Sequence, residues 1–281
     1  MSRVAYVNGA YVPLRSAGVS IMDRGFQFAD SIYEVWAVRG GRMFDLDEHM
    51  ARLQRSLAEL HIAPPMNKAS LMAVMRETMR RNRVRYGIVY VQVSRGAANR
   101  DHVFPAPDTR PTLIVTAKNL DRAAIAKRAV TGVKVTSAPE TRWARRDIKS
   151  VNLLPNVLAR QGAKEKGAFE AWFVDADGLV TEGTSSNAWI VDAAGVLRTR
   201  ALSFDILHGI TRGAILKIAQ ERQMKVEERP FTIEEAKAAR EAFITAASNA
   251  ATAVIEINGV RVGDGKPGPV TEALRAAYLG A

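Results

Sequence analysis

Short alternating strands and helix-spaced apolar residues follow one another along this chain, a succession that points to sheets covered by helices. Residues 4–14 alternate around Asn8-Gly9, a dipeptide suited to the positive φ angles of a type I′ turn, and so predict a β-hairpin. From Asp47, read as an N-cap, Met50, Leu53, Leu57 and Leu60 fall three and four apart on one face of a helix, which Pro64-Pro65 ends. A second helix is expected over residues 69–82, with Leu71, Met72, Met75 and Met79 turned inward as packing filler rather than as ligands. Strands rich in β-branched residues are expected at 87–93 and 111–117, which makes the first half mixed α and β. Strands resume at Val133 and Val135 and at 169–174 and 188–191. Helices are expected at 152–166, 212–222, 233–240 and 269–278, and a second hairpin turn at Asn258-Gly259. The 281 residues therefore read as a two-domain α/β (mixed α+β) chain. An N-terminal domain spans 1–119, a polar connector 120–132 and a C-terminal domain 133–281.

Forty Lys and Arg against 29 Asp and Glu leave a net charge of +11, which favours anionic partners. A nucleic-acid reader concentrates that charge on a stripe interleaved with rings; here the arginines are dispersed and aromatics are 7% of residues, so nucleic acid is not expected. The cations of 76–85 sit at the C-terminal end of an expected helix, where they oppose its dipole. The run Arg142-Trp143-Ala144-Arg145-Arg146, just before Lys149, is too irregular for a surface helix and asks for another explanation. The absence of cysteine removes disulfide scaffolds, thiolate metal sites and thiol nucleophiles. The four histidines form no H-x-x-H pattern, so no metal is expected, and phosphate-binding G-x-x-x-x-G-K-[ST], G-x-G-x-x-G and G-x-S-x-G signatures are missing. Asn8, Gly9 and Pro13 interrupt the apolar residues of the N-terminus, and no run approaches the roughly 18 apolar residues of a spanning helix. No membrane association is expected, and the cytoplasm is the default location.

Four segments carry what remains. They are Asp23-Arg24-Gly25-Phe26-Gln27-Phe28-Ala29-Asp30-Ser31-Ile32-Tyr33-Glu34 with Glu48-His49-Met50-Ala51-Arg52-Leu53; Ser94-Arg95-Gly96-Ala97-Ala98-Asn99-Arg100-Asp101-His102; Asp147-Ile148-Lys149-Ser150-Val151-Asn152; and Thr181-Glu182-Gly183-Thr184-Ser185-Ser186-Asn187, with Gly209-Ile210-Thr211-Arg212 beyond. In order and content they resemble the class IV aminotransferases, the pyridoxal 5'-phosphate enzymes of fold type IV, over nearly the whole chain. The resemblance implies that Lys149 forms the Schiff base with the cofactor aldehyde, which needs an amine able to lose its proton near neutral pH. Arg142, Arg145 and Arg146 on the same segment would favour that loss. It implies that Glu182 pairs with the pyridine nitrogen and keeps the ring an electron sink. Arg52, Ile210, Thr211 and the Ala247 turn would hold the phosphate, the helix starting near Arg212 adding its N-terminal dipole. Leu207 would lie against the ring, and Arg142 near its phenolic oxygen.

The second segment separates branches of the family. The D-amino-acid aminotransferases, which this chain most resembles, hold the substrate α-carboxylate with a tyrosine and an Arg-x-His pair, matched here by Tyr33, Arg100 and His102. A guanidinium fork fits a carboxylate bidentately, and side donors fix which face of the Cα–H bond is presented. The resemblance thus implies ping-pong transfer from D-amino acids of the D-alanine or D-glutamate type to 2-oxo acids such as 2-oxoglutarate or pyruvate, by a homodimer. Branched-chain L-amino-acid or (R)-amine transamination and aminodeoxychorismate lysis are the alternatives within the fold. Ala29 and Ser31 stand where the family commonly has glycines, which would shift the loop carrying Tyr33. Ala246 and Ala247 replace hydroxyl residues that often contact phosphate.

Overall fold

The computed structural model describes residues 3–280, which divide into two compact units. The first runs to Asp121 and takes in Ile148–Asn152; the second comprises Arg122–Asp147 and the chain from Leu153.

In the first unit, β1 (Val4–Val7) and β2 (Ala10–Pro13) form the expected hairpin, with Asn8 at φ 45° and Gly9 at φ 102°. A short helix α1 (Arg24–Phe28) precedes β3 (Ser31–Arg39) and β4 (Arg42–Met43). Helices α2 (Leu46–Glu59) and α3 (Lys68–Arg81) are followed by β5 (Gly87–Ser94) and β6 (Thr112–Asn119). The six strands form one antiparallel sheet in the order β2-β1-β6-β5-β3-β4. Alternation sends Ile32, Trp36, Val89, Val91, Val93 and Val115 to one buried face, where α2 and α3 contribute Met50, Leu53, Leu57, Leu71, Met75 and Met79. Met72, expected inward, is half-buried. Helix α2 begins one residue before Asp47: its N-cap is Asp45, and Asp47 lies in the first turn, where Lys68 pairs with it at 2.6 Å.

In the second unit, the segment expected as a connector carries helix α4 (Arg122–Thr131), which leads into β7 (Val133–Pro139). Then come α5 (Leu154–Glu165), β8 (Glu170–Val174), β9 (Val180–Gly183), β10 (Asn187–Val191) and β11 (Leu197–Thr199). Helix α6 (Ile210–Glu221), β12 (Val226–Glu228) and α7 (Ile233–Lys237) precede β13 (Glu241–Ala246), β14 (Ala250–Ile257), β15 (Val260–Arg261) and α8 (Pro269–Leu279). The strands make one mixed sheet in the order β12-β11-β10-β13-β14-β7-β8-β9, with β15 folded back on β14 through Asn258-Gly259. Its core lies on both faces. Trp172, Phe231, Ile190 and Ile244 pack together on one, and Trp189, Phe243, Ile215 and Leu274 on the other. No helix among the described residues is long and apolar enough to cross a membrane.

The alanine at position 29 does not shift the strand that follows. Tyr33 pairs in regular register with Gln92, and Ser31 buries its hydroxyl on the Val93 carbonyl at 2.9 Å. Ala29 instead takes φ 57°, closing α1 in the left-handed region that glycine enters freely. That conformation costs a non-glycine residue about 1–2 kcal/mol, while glycine loses about 0.4–1 kcal/mol more chain entropy on folding. Ala29→Gly is therefore expected to stabilise the protein by up to about 1 kcal/mol, read as a higher urea midpoint at unchanged slope.

Candidate active site

Lys149 is held by its backbone. The edge of β3 not paired with β5 receives the segment around it: Tyr33 N–H donates to the Lys149 carbonyl at 2.9 Å and Val151 N–H to the Ser31 carbonyl at 3.1 Å. Lys149 N–H donates in turn to Ser56 Oγ on α2 at 3.3 Å. This pairing is why Ile148–Asn152 belongs to the first unit. The half-buried side chain carries its Nζ 4.3 Å from the centre of the Tyr33 ring, a cation–π distance. Tyr33 stacks on Tyr90, with centroids 5.6 Å apart, and burial together with the neighbouring Tyr33 hydroxyl pushes Tyr90 up to about 12.

Behind β3, on the helix-covered face, Glu34 is fully buried between Ile32 and Trp36. Arg52 grips it with both arms, Nε to Oε2 at 2.8 Å and Nη2 to Oε1 at 2.7 Å, and His49 Nδ1 lies 2.9 Å from Oε1. Burial pushes this carboxyl up, but the Arg52 and His49 contacts outweigh it and hold Glu34 well below the usual carboxylate range. Arg52 is thus oriented by a carboxylate partner. Sequence reading missed Glu34; its signal was a charged residue at an inward position of an alternating strand.

Arg100 and His102 lie on the exposed loop after β5 and gather on Phe28. Arg100 is 5.1 Å from that ring's centre, and the His102 and Phe28 centroids are 5.5 Å apart. The proposed carboxylate ligands therefore fall into two groups in this unit, Tyr33 with Tyr90 and Lys149, and Arg100 with His102 and Phe28.

The second unit gathers the others. Glu182, on β9, is buried and fully engaged: Arg142 Nη1 donates to Oε1 at 2.6 Å, Asn187 Nδ2 to Oε2 at 3.0 Å, and Leu207 N–H to both oxygens at 3.1 Å. Burial dominates here and raises the Glu182 carboxyl above its usual range, with Arg142 and the Leu207 N–H opposing. Arg142 is shared, since Glu140 takes its Nε at 3.0 Å and its Nη2 at 2.6 Å. Arg145 pairs with Asp147 at 2.9 Å and Arg146 with Asp205 at 2.9 Å. The uncompensated positive field expected from these three arginines is thus largely cancelled by carboxylates, which the sequence scatters from 140 to 205.

Leu207 leads into α6, whose N-terminus has Gly209 as N-cap and no capping side chain, leaving the first-turn N–H groups of Ile210 and Thr211 for another partner. Thr211 is buried, with its hydroxyl 3.5 Å from Tyr278 OH. A Cβ at Gly209 would overlap Asn187 Oδ1, so Asn187 sits against the helix start while its amide reaches Glu182 and the Leu207 carbonyl. Asn187 pairs with Thr245 across β10 and β13, and the turn containing Ala247 follows β13 directly. The Thr245 hydroxyl is taken by Trp189 Nε1 at 3.0 Å. This donor set fits a phosphorylated pyridine in kind: a buried carboxylate for a ring nitrogen, and an uncapped helix start beside a backbone turn for a phosphate. The first unit supplies an amine with a fixed backbone.

Residues 31–257 match the amino-transferase class IV family. A D-alanine aminotransferase of Bacillus licheniformis is 40% identical over 270 residues, covering 96% of this chain and 94% of that protein. One from Staphylococcus haemolyticus is 37% identical over 273 residues, covering 97% and 95%. Among solved structures, the branched-chain amino acid aminotransferase of Escherichia coli superposes with a TM-score of 0.92 at 26% identity, over 100% of this chain and 94% of that one. The branched-chain aminotransferase of the archaeon Thermoproteus uzoniensis, with norvaline, does so with a TM-score of 0.83 at 26% identity, over 99% and 94%.

Because the folded Glu34 is held below its ordinary value of 4.5, its stabilisation is present above that pH and is lost as the pH falls. Glu34→Gln is expected to cost about 3–5 kcal/mol near pH 7, since it breaks a buried pair, and the difference from wild type should shrink near pH 3.5. Urea titrations at the two pH values check this; an unchanged difference would refute it.

Proposed function

The chain belongs to the class IV aminotransferases, and on that footing we propose that it transfers the amino group of D-amino acids, of the D-alanine or D-glutamate type, to 2-oxo acids such as 2-oxoglutarate or pyruvate. The observation that carries the substrate choice is the Arg100-Asp101-His102 loop, which presents a guanidinium and an imidazole together on Phe28. Near-full-length likeness to D-alanine aminotransferases supports it, whereas the 26% identity to branched-chain enzymes speaks for the shared fold.

Pyridoxal 5'-phosphate, the cofactor of the family, supplies when bound a ring that stabilises the negative charge left on the substrate Cα. The chain's own residues do the rest. Lys149 is the amine that would hold the cofactor by its aldehyde and, when its Nζ is free, would take the proton from the substrate Cα as base and give it up again as acid. Its anchored backbone and the Tyr33 ring restrict where Nζ can go. Glu182 would meet the ring nitrogen, and burial raises its affinity for a proton. Arg142 and Asn187 fix its direction, and Leu207 would border the ring. The N–H groups of Ile210 and Thr211, the Ala247 turn and Arg52 would hold the phosphate. Because Glu34 balances part of the Arg52 charge and Ala246 and Ala247 bring no hydroxyls, backbone donors carry a large share of that binding. Arg100, His102 and the Tyr33 hydroxyl receive the substrate carboxylate. The two half-reactions use the same residues in reverse order, which gives ping-pong kinetics. A homodimer fits the exposure of Ile21, Phe26, Val103 and Phe104, apolar side chains of the kind that subunit contacts cover.

Purified protein carrying cofactor should lose its visible absorbance on addition of D-alanine and recover it with 2-oxoglutarate. Bleaching by L-leucine alone would overturn the substrate assignment in favour of the branched-chain reading. Lys149→Ala should lower the amino-transfer rate by at least about 10²-fold, the usual size of a lost acid–base group, without unfolding the protein by circular dichroism.

A further inference from the structure

We propose that Arg24 is a positioning residue for substrate: it clamps the loop that presents Arg100 and His102 and so sets how firmly the α-carboxylate is held. The inference rests on the reading of Arg100 and His102 as carboxylate ligands. That loop has little shape of its own. From Arg100 to Phe104 it is exposed and free of regular secondary structure, so its backbone must be fixed from outside.

Arg24 does the fixing from a buried position at the start of α1. Its Nη1 donates to the Asp101 carbonyl at 2.6 Å and to the Val103 carbonyl at 3.3 Å, the two residues on either side of His102. Its Nε donates to Asp30 Oδ2 at 2.8 Å. Asp30 is itself gripped by Arg95, through Nε at 2.7 Å and Nη2 at 2.9 Å. Arg95 reaches on to the Leu60 carbonyl at 2.6 Å and the His61 carbonyl at 2.9 Å, at the end of α2. The loop is thereby tied through three charged side chains to a packed helix. Phe28 completes the seat, with Arg24 at 4.9 Å and Arg100 at 5.1 Å from its ring centre. Asp101 turns its own carboxylate to the Val103 N–H at 3.3 Å, within the loop. A lysine at position 24 would keep the charge but lose the planar fork that serves Asp30 and the two carbonyls at once.

The test is the first half-reaction of the cofactor-loaded enzyme, followed by its visible absorbance with D-alanine and with D-alaninol, which has the same chirality and no carboxylate. For Arg24→Lys the apparent affinity for D-alanine is expected to fall about tenfold, the worth of a charge-assisted hydrogen bond, with the maximal rate nearly kept and the D-alaninol reaction unchanged. An equal loss with both amines, or none with D-alanine, overturns the clamp. Should Arg24→Lys fail to fold, Asp30→Asn, which loosens the same guanidinium, must show the same selective loss to a lesser degree, and the same outcomes overturn the proposal. Arg100→Leu separates the levels of the argument. If it selectively impairs D-alanine and the Arg24 and Asp30 variants do not, the clamp alone is wrong. If it leaves D-alanine unaffected, the carboxylate reading falls and the clamp falls with it.

Discussion

Strand alternation forces Tyr33 and Glu34, successive residues of β3, onto opposite faces of one sheet, and the chemistry of the first unit follows from that division. On one face the Tyr33 ring lies beneath the Lys149 amine; on the other a carboxylate sits where water cannot reach it. An unpaired buried carboxylate would cost several kcal/mol, so the strand is stable only while Arg52 and His49 meet it. Those contacts lock α2 against β3 in one register. Ser56, one turn beyond Arg52, then stands where the Lys149 N–H can donate to it. A buried charge on one face thus fixes the backbone of Lys149, bound along the strand's edge.

The two buried glutamates show how partner number decides direction. Glu34 has a two-armed guanidinium and an imidazole, and ionisation wins over burial. Glu182 shares its one arginine with Glu140, and burial wins. A carboxylate left in that balance responds strongly to a further cation. The same pairing revises the meaning of the basic composition. Arg52, Arg142, Arg145 and Arg146 all face carboxylates, so part of the net +11 is held in orienting pairs.

Much of the fold was legible in the sequence, and what was missed has physical causes. The two Asn-Gly hairpins, helices α2, α3, α5, α6 and α8, and strands β5 to β8 and β10 carry local signals of turn chemistry and period, and they lie within a few residues of expectation. Strand β3 escaped because Glu34 interrupts its apolar face, and β13 because the flanking alanines of 242–247 have no strong period. Helix α4 carries little helical signal because its alanine-rich sequence has a weak apolar stripe, with Ile125 as its buried residue. At the site, Lys149 and Glu182 were named by resemblance, and their surroundings could not be. Asn187 reaches Leu207 and Arg24 reaches Asp101, pairings separated by 20 and 77 residues that no local pattern announces.

Gly209 joins the two ends of the second unit's site. Asn187 Oδ1 presses where a side chain on this residue would be, while the Asn187 amide holds the Glu182 carboxylate. The span from the helix's first N–H groups to that carboxylate is therefore set by a single amide side chain and bare backbone, with no flexible link between them. Such a span works as a fixed gauge. A ligand whose anionic and basic ends match it binds without rearrangement, and one a bond longer or shorter must break the asparagine's contacts to fit.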